Sequence, residues 1–182
     1  MPRLFVAIDL PDQTRELLVQ LAPELPIARW VPVDQIHLTL RFIGEVGPET
    51  CAAIKRALSG LHFRPFPLEV CGVGHFPPGK RPRVLWVGLA PSAALAQLQQ
   101  EVELALMETG LAPDERRFSP HITLARLRES APVLAHAVEA FELRHRELSC
   151  VPFEVTEVIL YSSVLASKGA THHKEMVIPC QN

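Results

Sequence analysis

Two copies of one short pattern, His37-Leu38-Thr39-Leu40 and His121-Ile122-Thr123-Leu124, set the chemistry open to this chain. Along a strand, successive side chains point to opposite faces, so each His shares a face with its Thr while the aliphatic residues take the other. Each copy reads as a half-buried strand with an imidazole and a hydroxyl on its open side. Imidazole titrates near neutral pH, so one ring can be neutral while a second is charged. The neutral ring can take a proton from water and the charged ring can protonate a departing sugar oxygen, each step contributing about 10²- to 10⁴-fold in rate. Such a pair could cleave a phosphodiester beside a 2'-oxygen without a metal. Thr39 and Thr123 could donate hydrogen bonds to the non-bridging phosphate oxygens. A single strand histidine is more often a surface or hydrogen-bonded residue. The second copy, which ordinary composition produces about once in a hundred such chains, reverses that weighing.

Arg126 could add charge to the same phosphate, yet strict alternation groups it with Ile122 and Leu124, away from His121. It joins the His121 face only if the strand ends or bulges by Ala125. Arg41 shares the His37 face by parity, or it sits at a solvated strand end. His62, His75, His136, His145, His172 and His173 lack a paired threonine and are expected to be exposed. The adjacent His172 and His173 have no third ligand spaced for a metal. Trp30, Phe76 and Tyr161 could stack a base, although core or rim packing is the commoner use of such rings. Ser119 lacks a nucleophile-elbow pattern, and Gly72-x-Gly74 lacks the third glycine of a dinucleotide loop. Cys51, Cys71, Cys150 and Cys180 are scattered, with no zinc or disulfide spacing, and read as structural or incidental thiols.

The elements that must position these residues follow from periodicity and punctuation. Residues 4–8 form an apolar strand, and Pro11-Asp12 opens a helix with Leu17, Leu18, Leu21 and Leu25 at helical spacing, broken by Pro23 and Pro26. Residues 36–42 form the first motif strand. Pro48 opens a helix carrying Ile54 and Leu58, with Gly60 near its end. Residues 66–73 read as a strand and residues 72–78 as its turn-rich exit. The order then begins again: a strand at 83–89, a long helix at 91–110 with Leu95, Leu98, Val102 and Leu106 on one face, and a loop at 113–117. The second motif strand covers 121–126, a helix 131–141, and a strand 153–161. Strand-helix-strand-helix-strand thus occurs twice, with a histidine on each middle strand. That rhythm predicts an internal duplication and an α+β fold whose two motif strands wall one cleft. One bilobal domain over 1–182 is expected, with repeats at about 1–76 and 82–165 and a C-terminal strand or tail at 166–182.

Apolar residues make up 48% of the chain and charged residues 21%, a globular balance. A net charge of −2 argues against wrapping a long nucleic acid, while leaving room for gripping one phosphate or a strand end. No apolar run is long enough for a membrane span, and Met1-Pro2-Arg3 leads into a strand rather than a secretory segment. A cytoplasmic protein that does not engage a membrane is expected.

In these residues the chain resembles the RNA 2',3'-cyclic phosphodiesterases, also called 2'-5' RNA ligases (the LigT or ThpR family), of the two-histidine phosphoesterase superfamily. The likeness runs through Arg3 to Ile8 with Pro11, through Ile36 to Leu40 and Gly44, and through Gly72 to Gly74 with Phe76. It continues through Pro82 to Gly88, Phe118 to Arg126, and Phe153 with Leu160 to Ser163. The resemblance implies a bilobal LigT-like α+β fold with mainly antiparallel sheets around a cleft, working without metal or cofactor. It implies metal-independent hydrolysis of RNA 2',3'-cyclic phosphate ends, tRNA-derived ends among the candidates, to 2'-phosphomonoesters, with reversible 2'-5' ligation as a second activity. It implies His37 and His121 as catalytic residues and Thr39, Thr123 and Arg126 as phosphate-binding residues. A monomer is expected, with His121 as base and His37 as acid. After Gly169 the family tends to carry a tyrosine where this chain has Thr171-His172-His173. Two rivals stay open at this point: a non-catalytic module that binds RNA ends, and a two-histidine esterase for a small cyclic nucleotide phosphodiester.

Overall fold

Residues 4–8, Leu-Phe-Val-Ala-Ile, form a central strand because both of its faces are covered; all five side chains are buried. The computed structural model describes residues 3–79, 81–127, 132–166 and 169–181. In chain order these give β1 (Arg3–Asp9), α1 (Asp12–Val19), β2 (Arg29–Trp30), β3 (His37–Glu45), α2 (Pro48–Ser59), β4 (Phe66–Leu68) and β5 (Val70–Phe76). Then come β6 (Val84–Leu89), α3 (Ala93–Met107), β7 (Ile122–Arg126), α4 (Pro132–His145), β8 (Phe153–Val155), β9 (Glu157–Ala166) and β10 (Gly169–Pro179).

The main sheet runs β10-β9-β1-β3-β7-β6-β5, with β2 added alongside β7, while β4 and β8 pair separately. Every pairing among the described strands is antiparallel. The order reads symmetrically about its middle: β9-β1-β3 on one side answers β5-β6-β7 on the other. The halves meet at one registered pair, Leu38 opposite Ile122. Each half borrows its outer strand, since β9 from late in the chain flanks β1 and β5 from the first part flanks β6.

Helix α2 packs on α3, α3 on β3 and α4 on β5. The main core includes Leu38, Leu40, Ile122 and Leu124 from the motif strands with Ile54, Leu98, Val102 and Val138 from the helices. Ser92 accepts a hydrogen bond from the Leu95 N–H at 3.1 Å and so caps α3. A smaller cluster of Phe5, Ala7, Ile159 and Tyr161 lies apart from that core. No helix among the described residues is long and apolar enough to cross a membrane.

Four sequence expectations shift. The strand read over 66–73 divides at Glu69: β4 pairs with β8, and β5 with β6. Residues 72–76, read as a turn-rich exit, stay in β5, because Gly72 at φ +67° takes up the extra residue of a bulge. The strand read over 153–161 likewise divides at Thr156 into β8 and β9. Helix α1 ends at Val19, and the buried Leu21 and Leu25 flank a 3-10 turn instead. Ala131, where the sequence starts the fourth helix, lies outside the described residues, as do Met1 and Pro2 ahead of β1.

Candidate active site

Leu38 and Ile122, opposite one another and both fully buried, fix the geometry of the two motifs. Continuing that register one step either way sets Thr39 opposite His121 and His37 opposite Thr123, all four on the face away from the core. The two histidines are then diagonal neighbours, and diagonal positions on a sheet face lie about 7–8 Å apart. All four residues line a cleft of about 1030 Å³.

Each imidazole is held from behind. His121 pairs through Nδ1 with the carbonyl oxygen of Ser119 at 2.8 Å, and the His37 ring hydrogen-bonds the backbone of Gln35, again two residues back. A ring that donates to a carbonyl from one nitrogen turns the other toward the cleft as its working atom. His37 lies on Phe5 (centroids 4.9 Å apart), Phe5 lies on Tyr161 (5.2 Å), and His172 meets His37 edge-on at 5.4 Å. Burial pushes His37 down to about 4, His172 adds to that, and the Gln35 bond and Asp9 oppose it. His37 is therefore neutral at pH 7 in the free protein. Tyr161 donates its hydroxyl to Asp9 (2.8 Å to Oδ1), and burial, then Asp9, hold its phenol above the ordinary value.

A different stack supports His121. Phe76 meets it edge-on at 4.9 Å, and Trp86 backs Phe76 at 5.3 Å. Trp86 lies directly over Gly74, where a Cβ would come within 2.3 Å of the indole. Gly74→Ala is therefore expected to cost about 1–3 kcal/mol by overpacking, and to lower kcat by tilting Phe76 against His121. Urea denaturation and steady-state kinetics check both effects. Wild-type values for both would mean that the indole swings aside freely.

The arginines are sorted by a pair of bulges at matching positions. In β7, Leu85 and Trp86 of β6 face Ala125 and Thr123, so Leu124 is the extra residue. Leu124 and Ala125 are both buried as a result, and Arg126 is returned to the Thr123 face, where it lines the cleft. In β3, Val6 and Ala7 of β1 face Arg41 and Thr39, so Leu40 is the extra residue. Arg41 is thereby turned out of the cleft. Its Nε lies 2.8 Å from Glu103 Oε2, its Nη1 lies 3.1 Å from Asp114 Oδ2, and its Nη2 donates to the Ala112 carbonyl at 2.7 Å. The cleft position that answers Arg126 in β3 is Phe42, 49% exposed.

The structure thus brings His37, Thr39, His121, Thr123 and Arg126 into one cleft and leaves Arg41 outside it. Sequence reasoning missed His172. It was expected to be an exposed, uninvolved residue, yet it is half-buried against His37 and Phe5 in the cleft wall. The departure from the family's tyrosine at this stretch was the available signal. His75 and His145 are not exposed either: His75 is tied to Glu142 at 2.6 Å and His145 to Glu24 at 2.9 Å. Trp30 lines the cleft with its N–H fixed on the Leu25 carbonyl at 3.0 Å, while Tyr161 is buried. The four cysteines are free thiols.

The chain is similar along most of its length to proteins of known family. A model described as the 2'-5' RNA ligase superfamily matches residues 11–165. An RNA 2',3'-cyclic phosphodiesterase of Archaeoglobus fulgidus is 35% identical over 170 residues, covering 92% of this chain and 94% of the relative. The RNA 2',3'-cyclic phosphodiesterase of Escherichia coli K12 is 33% identical over 175 residues, covering 94% and 92%. Among solved structures, E. coli LigT complexed with 3'-AMP superposes with a TM-score of 0.78 at 27% identity, covering 100% of both chains.

Proposed function

The chain belongs to the 2'-5' RNA ligase superfamily and is an RNA 2',3'-cyclic phosphodiesterase; we propose that it works by metal-independent acid–base catalysis between His37 and His121. The observation that carries this reading is the single Leu38–Ile122 crossing, which sets two His/Thr pairs around one space in the cleft.

The cyclic phosphate lies between the rings. Thr39, Thr123 and Arg126 meet its non-bridging oxygens, where negative charge gathers as a fifth oxygen joins phosphorus. His121, its Nδ1 side held by Ser119, accepts a proton from the attacking water. The new bond joins the water oxygen to phosphorus, the bond from phosphorus to O3' breaks, and His37 delivers a proton to O3'. The product is a 2'-phosphomonoester. At neutral pH the His37 ring of the free protein is neutral, so it takes up the proton it will deliver only when the substrate favours the charged ring. A phosphate anion beside the ring favours the imidazolium and offsets the burial that lowers it. With an RNA 5'-hydroxyl in place of water, the same proton transfers join a 2'-5' linkage, and the reverse path opens it.

Incubation with a 2',3'-cyclic nucleotide end in the presence of EDTA tests the reading. A 2'-phosphate as the sole product, formed at an unchanged rate with chelator, is expected. A 3'-phosphate product, or loss of turnover in EDTA, would overturn the mechanism. Binding without turnover would favour a recognition module instead.

A further inference from the structure

Arg29 in β2 stands directly opposite Arg126 in β7, and both are exposed and line the cleft. Directly opposed positions of an antiparallel pair share one face, and like charges there repel. No carboxylate lies within ion-pair distance of either guanidinium among the described residues. Arg3, at another edge of the cleft, is by contrast paired with Glu45 at 3.1 Å. Two adjacent uncompensated guanidiniums in a cleft wall make a site for an anion, which relieves their repulsion and takes several N–H bonds from their planar forks.

The position says which anion. Arg126 follows Thr123 on the same face, and same-face neighbours on a strand lie about 7 Å apart, the scale of one nucleotide step. Arg29 stands beside Arg126, one strand further across. At the opposite end of the cleft the matching position is Phe42, which attracts no phosphate. A pseudosymmetric site therefore has one cationic end.

We propose that Arg29, standing beside Arg126 at the cationic end of the cleft, binds the internucleotide phosphate immediately 5' of the cyclic end, so that the cleft takes oligonucleotide ends in one direction and prefers them to mononucleotides. The inference rests on the cyclic phosphodiesterase reading and adds a second phosphate subsite to it.

The test compares a mononucleotide 2',3'-cyclic phosphate with a dinucleotide that carries the same cyclic end. In Arg29→Gln, KM for the dinucleotide should rise by about tenfold, the loss of a charge-assisted hydrogen bond. KM for the mononucleotide should stay within about twofold, since one phosphate contact is all that changes. In the wild-type protein, replacing the dinucleotide's internucleotide phosphate by an uncharged methylphosphonate should reproduce the effect, and it should add nothing in Arg29→Gln. Equal effects on both substrates, or none, would overturn the subsite. Failure of the wild-type protein to turn over either substrate would instead reject the phosphodiesterase reading itself.

Discussion

Alanine at His37 or His121 lowers kcat/KM by about three orders of magnitude, the range expected for loss of a positioned proton-transfer group, while Kd for a 2'-nucleotide product changes far less. The double replacement costs little more than either single one, because two groups acting in one concerted step are not additive. Circular dichroism should be unchanged, since both rings face the cleft and not the main core. A tenfold loss would show that neither ring moves the proton. The pH profile carries the same signature. In the free protein His37 takes up its proton near pH 4, and as the acid of the proposed step it must be protonated, so its titration sets the limb on which kcat/KM falls as pH rises above that value. In kcat this descending limb lies at higher pH, because bound phosphate favours the charged ring. His37→Ala removes that limb.

Arg41→Ala should be the most destabilising replacement of a charged side chain in the protein. The Arg41 side chain is 11% exposed, and it pairs with Glu103 (18%) and Asp114 (24%) while bonding the Ala112 carbonyl. Removing the cation leaves two partly buried carboxylates without it, at a cost of about 2–3 kcal/mol after allowance for their residual hydration. For a chain of this size, Tm falls by about 5–10 °C. The pair anchors β3 beside its bulge, so Thr39 is displaced and kcat falls as well. Adding Glu103→Gln should restore part of the stability, because one stranded charge is then gone. A change under about 0.5 kcal/mol in urea denaturation would place these groups among ordinary surface charges.

The two arginines also mark where sequence reading ran out. Alternation correctly put His37 with Thr39 and His121 with Thr123, because period two holds as far as the threonines. Strict alternation would put Arg41 on the cleft face and Arg126 on the core side; the sequence reading admitted Arg126 only through a bulge by Ala125 and left Arg41 open, and one cause decides both. Each motif strand has one residue more than its partner at the following leucine, Leu40 against β1 and Leu124 against β6. A bulge is a property of two paired strands, and no local window contains the second. The division of 66–73 and of 153–161 has a similar origin, since the short β4 and β8 pair with one another across the chain. His172 escaped notice because β10 reaches the cleft only by pairing with β9. The buried faces of α2 and α3 were legible from spacing alone: Ile54 and Leu58, then Leu95, Leu98, Val102 and Leu106, are buried as the helical period requires.

The exchange of outer strands has a consequence for how this molecule is made. During synthesis β1 can pair with β3 soon after both have emerged, but its other edge waits for β9. At ribosomal speeds that interval is roughly 10–30 s. For all of it, an apolar ribbon with unmet backbone groups is a template for any other nascent chain. Severing the chain between its two halves would leave both fragments with the same raw edge, so neither half should survive alone.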